Sequence, residues 1–89
     1  MTAALTAARL GHEVTLYERQ ARVGRKLMAT GNGRCNLTNT GAAPANYHGE
    51  APAFVRPALE GFGPAEALDF FRGLGLLVRE EHGGRVYPL

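Results

Sequence analysis

An α/β fold is predicted for this chain of 89 residues by three observations. An alanine- and leucine-rich stretch stops at a glycine, a β-branched run stops at an acid, and the C-terminal third reads helix, strand, turn, strand. Residues 1–10 are expected to form a helix whose small face, around Leu5 and Ala8, suits close packing on a sheet. Gly11 ends it as a glycine just past a helix C-terminus does. Val14-Thr15-Leu16-Tyr17 then predicts a strand over 14–18, closed by Glu18. Residues 40–52 read as loop, punctuated by Pro44, Asn46, Gly49 and Pro52. A short helical piece follows from Ala53 to Phe62, disturbed by Pro57, which a helix tolerates only near its first turn. Gly63-Pro64 opens a better helix over 64–74, with Leu68, Phe71 and Leu74 on one face and Gly75 as its stop. Residues 76–87 predict a β-hairpin that turns at His82-Gly83-Gly84. Leu5, Val14, Leu16, Leu68, Phe71, Val78 and Val86 are the expected core.

Composition narrows the class. With 45% apolar and 20% charged residues, the chain resembles an ordinary globular protein and not a disordered one. No apolar run approaches the length of a membrane span, and the first residues lack a signal peptide's basic and apolar regions. A cytoplasmic location is therefore expected, with no membrane partner. A single cysteine excludes an internal disulfide and the common cysteine-rich zinc sites, so no metal is expected. Charge is unevenly spread: residues 1–34 carry six cations against two acids, residues 35–89 four cations against six acids. The positive half points to an anionic ligand. A net charge of +2 without an interleaved aromatic stripe argues against nucleic acid as a partner.

The order helix, turn, strand, acid is the second half of a Rossmann unit. Such a unit opens with a strand and a G-x-G-x-x-G turn, and an acid about 20 residues on binds the ribose hydroxyls. Glu18 stands where that acid belongs. No residues precede the helix to supply the strand or the glycines. The expectation is a partial Rossmann-like domain lacking its first strand and glycine-rich turn and ending in a β-hairpin. Met1 would then be internal to a longer reading frame, or the chain a fragment.

Residues 23–39 carry the strongest functional signal. Three cations, three glycines and three asparagines fall within these seventeen positions. Glycine allows close backbone approach and φ > 0, and arginine, lysine and bare N–H groups are what a phosphate needs. A core segment would show apolar periodicity instead. The stretch reads as a nucleotide-cofactor loop.

The run Arg22-Val23-Gly24-Arg25-Lys26-Leu27-Met28-Ala29-Thr30-Gly31-Asn32-Gly33-Arg34-Cys35-Asn36-Leu37-Thr38-Asn39 resembles the signature of bacterial BaiN-like NAD(P)/FAD-dependent oxidoreductases, also labelled the aminoacetone-oxidase family. Glu81-His82-Gly83-Gly84-Arg85-Val86-Tyr87-Pro88 is similar to that family's E-x-G-G-R-V-[FY]-P segment. The resemblance spans essentially all of the chain. It implies the N-terminal part of an FAD-binding domain, FAD as cofactor, NAD(P)H as a possible electron donor, and a small organic substrate.

Under that resemblance the cofactor residues are Glu18, Gly24, Arg25, Lys26, Thr30, Gly31, Asn32, Gly33, Arg34, Cys35 and Asn36. Glu18 would accept from the ribose hydroxyls, and Gly24-Arg25-Lys26 would bring N–H groups and a cation to the cofactor. The Asn32 and Asn36 amides suit the isoalloxazine edge, and Arg34 or Lys26 would stabilise the reduced ring's negative charge. The plainer readings are a solvated acid, a basic surface turn and structural glycines. Cys35, with no second cysteine, is expected to be redox-inert; His12 and His82 read as solvated, and His48 beside Tyr47 could approach a substrate. No catalytic acid or base is identified, and the oligomeric state is left open. Two rivals stand: a nicotinamide-only Rossmann dehydrogenase, which does not require residues 30–39, and a truncated, non-catalytic nucleotide-binding remnant.

Overall fold

The computed structural model describes residues 1–89. Helix α1 covers Thr2–Arg9 and ends in a turn at Gly11, whose φ of 85° only glycine takes without strain. Helix α2 runs Arg25–Gly33, strand β1 is the pair Thr38–Asn39, and 3₁₀ turns occupy Pro44–Asn46 and Pro52–Val55. Helix α3 (Arg56–Gly61) and helix α4 (Pro64–Gly73) follow, then strands β2 (Val78–Glu81) and β3 (Arg85–Pro88). No helix is long and apolar enough to cross a membrane.

The sheet is antiparallel, in the order β1-β3-β2. Val86 in the central strand faces Glu80 on one side and Thr38 on the other. The chain turns between β2 and β3 through His82–Gly84. A Cβ on Gly84 would stand 2.6 Å from Asn39 Oδ1 and 2.7 Å from Thr40 Oγ1, so any side chain at position 84 would push these two away from the hairpin. Helix α4 starts at Pro64, where the missing N–H costs nothing. The Glu66 carboxylate reaches back to accept the Gly63 N–H at 2.9 Å. Leu68 on this helix joins Val86 and Tyr87 as the buried apolar set. Phe70 stacks edge-on against Phe62 and Phe71, and Arg9 of α1 lies 5.3 Å from its ring centre, which ties α1 to α4.

Four expectations need correction. Residues 14–18 form no strand, because a strand exists only through a ladder and no segment of these 89 residues offers one. Leu5, Val14 and Leu16, expected in the core, are 38%, 38% and 56% exposed for the same reason: nothing covers the face they share. Residues 23–39 are not loop throughout. Arg25–Ala29 are helical, since lysine, arginine, leucine, methionine and alanine all favour a helix, and Thr38–Asn39 join the sheet. Between Ala53 and Phe62 the expected helix is a 3₁₀ turn followed by α3, broken where Pro57 allows only a first helical turn.

Candidate functional site

The expected cofactor residues gather in two places, joined by α2. The first is an open cleft of about 360 Å³ whose walls include Leu16, Glu18, Gln20, Gly24, Arg25 and Lys26. Gly24 takes φ 73° and starts α2 without any side-chain cap, which leaves the first helical N–H groups free for an anion. Arg25 is steered by a 3.1 Å hydrogen bond from Nη1 to Gln20 Oε1. Lys26 makes no ion pair and remains an open positive charge. Glu18 accepts the Gln20 N–H through Oε1 at 2.7 Å, so Oε2 remains for a second donor. An acid, bare helical N–H groups and two cations thus converge on one cleft. Ribose and phosphate need this donor set, and a volume near the low end of ligand pockets, about 300 Å³, suits one nucleotide half.

The second place is the turn into which the C-terminal end of α2 unwinds, Thr30–Gly33, and the residues up to Asn36. Thr30 leaves the helix at ψ 156°, and Gly31, Asn32 and Gly33 then take φ of 57°, 55° and 80°. Three consecutive left-handed residues are tolerable because two are glycine and the third is asparagine, the residue next most at ease there. Gly31 is needed for a second reason: a Cβ would lie 2.7 Å from the Asn36 nitrogen and 3.2 Å from the Tyr87 ring. Cys35 also takes a positive φ, 56°, and is half-buried with its thiol free.

Arg34 and Asn36 point toward the hairpin. Arg34 donates to Glu81 Oε1, and its guanidinium lies 4.0 Å from the Tyr87 ring centre. Glu81 also accepts from Arg79 at 2.9 Å. The hydrogen bond from Arg34 is the first reason the Glu81 carboxyl sits below its usual range, with Arg79 adding to the effect and partial desolvation opposing it. Both protons of the Asn36 amide go to backbone carbonyls, of Val86 at 3.1 Å and Thr38 at 3.3 Å. The donor half expected to face a cofactor edge is therefore spent on the sheet. About 8 Å of α2, five helical residues, separates this turn from the cleft, less than the span of an extended dinucleotide.

Residue types alone had not singled out Glu81 and Tyr87. Their partnership with Arg34 is non-local, and the only available signal was their place in the second family-like segment. His48 does not line the cleft, and no group of histidine, cysteine or acid side chains is arranged to hold a metal ion.

Comparison with known proteins decides the family. A family model described as the HI0933-like protein Rossmann domain matches residues 1–89. The chain belongs to that family. The resemblance to BaiN-like oxidoreductases is thereby borne out, and the α/β architecture is that of a partial Rossmann domain, a nucleotide-binding fold. Among relatives, the 3-dehydro-bile acid delta(4,6)-reductase of Clostridium scindens is 44% identical over 90 residues, covering 99% of this chain and 22% of the relative. The ribosomal RNA dihydrouridine synthases of Haemophilus influenzae and Escherichia coli are each 31% identical, covering 90% and 91% of this chain and 20% of either relative. The chain spans about a fifth of the length of these HI0933-like relatives.

Proposed function

We propose that the chain is the cofactor-gripping part of a longer cytoplasmic, FAD-dependent oxidoreductase that takes electrons from NAD(P)H and passes hydride to a small organic substrate. The observation that carries this reading is the convergence of Glu18, the uncapped start of α2, Arg25 and Lys26 on one cleft within a Rossmann-family chain. FAD, when bound, supplies the hydride chemistry; the protein supplies grip, orientation and charge. Glu18 accepts from the ribose hydroxyls through its free oxygen. The N–H groups after Gly24 and the cations of Arg25 and Lys26 meet the pyrophosphate. Arg34 adds positive charge at the far end of α2.

The relatives' names suggest the reaction. A delta(4,6)-reductase and a dihydrouridine synthase both saturate carbon–carbon double bonds. We take reduction of such a bond as the reaction class. A small molecule is favoured over RNA by the higher identity to the bile-acid reductase, 44% against 31%, and by the modest net charge of +2.

The test uses the whole purified protein. It is expected to show a flavin absorption band, release FAD on denaturation, and bleach with NAD(P)H under anaerobic conditions. Addition of an unsaturated 3-oxo steroid should then restore the band. A colourless protein that ignores added FAD would refute the cofactor; reoxidation by ribosomal RNA and not by the steroid would transfer the substrate class to nucleic acid.

A further inference from the structure

The turn that follows α2 and the β2–β3 hairpin are far apart in sequence, yet they form one unit. Arg34 meets Glu81 across 47 positions. Asn36 and the Leu37 N–H both bind the Val86 carbonyl, at 3.1 and 2.9 Å. Gly31 is bare where the Tyr87 ring passes. The Arg34 guanidinium rests on that ring, and Tyr87 is one of the few buried side chains, so the platform beneath the cation is rigid.

An arginine on an exposed turn ordinarily samples many rotamers. Here an aromatic ring and a carboxylate restrict it from two sides while its side chain remains 48% exposed, so part of the guanidinium is still open to a ligand. One carboxylate, Glu81, serves two guanidiniums, those of Arg34 and Arg79. The cluster therefore keeps one net positive charge. The next residue, Cys35, takes a left-handed φ of 56° and holds backbone strain at this same point.

We infer that Glu81 and Tyr87 are positioning residues, which aim the Arg34 guanidinium and set how much positive charge the turn presents to the bound cofactor. This inference rests on the FAD reading above. Tyr87 supports Arg34 without altering charge, and Glu81 offsets part of it. The two therefore act on the flavin in opposite electrical directions, Tyr87 through Arg34 and Glu81 through Arg34 and its own charge.

The midpoint potential of flavin bound to the whole protein tests this, because a merely structural contact would not produce a signed pattern. Arg34→Met is expected to shift the potential toward more negative values, since less positive charge disfavours the reduced, anionic ring. Tyr87→Leu should shift it the same way, and Tyr87→Phe should restore it. Glu81→Gln should shift it toward more positive values. In an Arg34→Met background Tyr87→Leu should have no further effect, while Glu81→Gln should keep only the part of its shift that its own charge beside Arg79 supplies. Should Tyr87→Leu fail to fold, Glu81→Gln decides alone, because Glu81 is a partly exposed acid whose neutral counterpart keeps its shape. Bound flavin with one potential in every variant overturns the inference, and so do a Tyr87→Leu shift that persists without Arg34 and a Glu81→Gln shift that is undiminished without it. Absence of flavin from the unaltered protein overturns the FAD reading itself, a distinguishable result.

Discussion

At the scale of single residues, two positions show how tightly the turn is specified. Gly31 combines φ 57° with a Cβ position only 2.7 Å from backbone, so neither strain nor crowding can be relieved by a side-chain movement. Gly31→Ala is expected to destabilise the whole protein by about 1–3 kcal/mol, the cost of a strained backbone, as measured by urea unfolding. Glu81 makes a pH prediction. Its folded pKa lies below the unfolded value, so its pairing stabilises fully above the usual glutamate value of about 4.3 and is lost as pH falls through the folded pKa. The stability advantage of the unaltered protein over Glu81→Gln should be constant near neutrality and shrink on acidification below that value. An advantage that grew on acidification would contradict the pairing.

At the scale of elements, the hairpin is the organiser. β3 is the central strand, and a side chain in the turn before it would displace the Asn39 and Thr40 side chains at the β1 edge. Gly84→Ala should loosen the β1 edge, because the added Cβ meets the Asn39 and Thr40 side chains, and should also strain the hairpin turn, because position 84 takes φ 75°. Hydrogen exchange reads this directly: the Thr40 amide, bonded to the Gly84 carbonyl at 2.8 Å, should lose more protection than the β2 amides. The elements also show what was legible in the chain. α1, α4 and the hairpin follow local rules: a glycine stop, a proline start, and a glycine pair between two short strand-forming segments. The glycines of the turn after α2 were legible because left-handed backbone restricts residue type. The partners of Arg34 were not, since Glu81 lies 47 positions away and no local pattern encodes that meeting. Residues 14–18 carry strand composition, yet a strand is a property of two segments, and composition describes one.

At the scale of the molecule, the surface is too large for the mass. The 9.5 kDa chain exposes 7113 Å², where a compact monomer of that size exposes about 5,000 Å². The radius of gyration, 14.8 Å, exceeds the value of about 12 Å for a packed domain of this length. The buried apolar set is correspondingly small, Leu68, Val86 and Tyr87, and the α1 face that carries Leu5 stays open beside Val14 and Leu16. Core expectations from periodicity assume that each apolar face is covered, and here one is not. The cleft at Glu18 borders this open face through Leu16 and Met1, so site and uncovered surface are continuous. The account stands on that cleft as the seat of a dinucleotide held at its ribose by a carboxylate. Its most direct test is titration of FAD into the deflavinated whole protein, with and without Glu18→Ala, followed by flavin fluorescence. Loss of a hydrogen bond to a charged group predicts binding about 10- to 100-fold weaker in the variant. Equal affinity in the two proteins would contradict it.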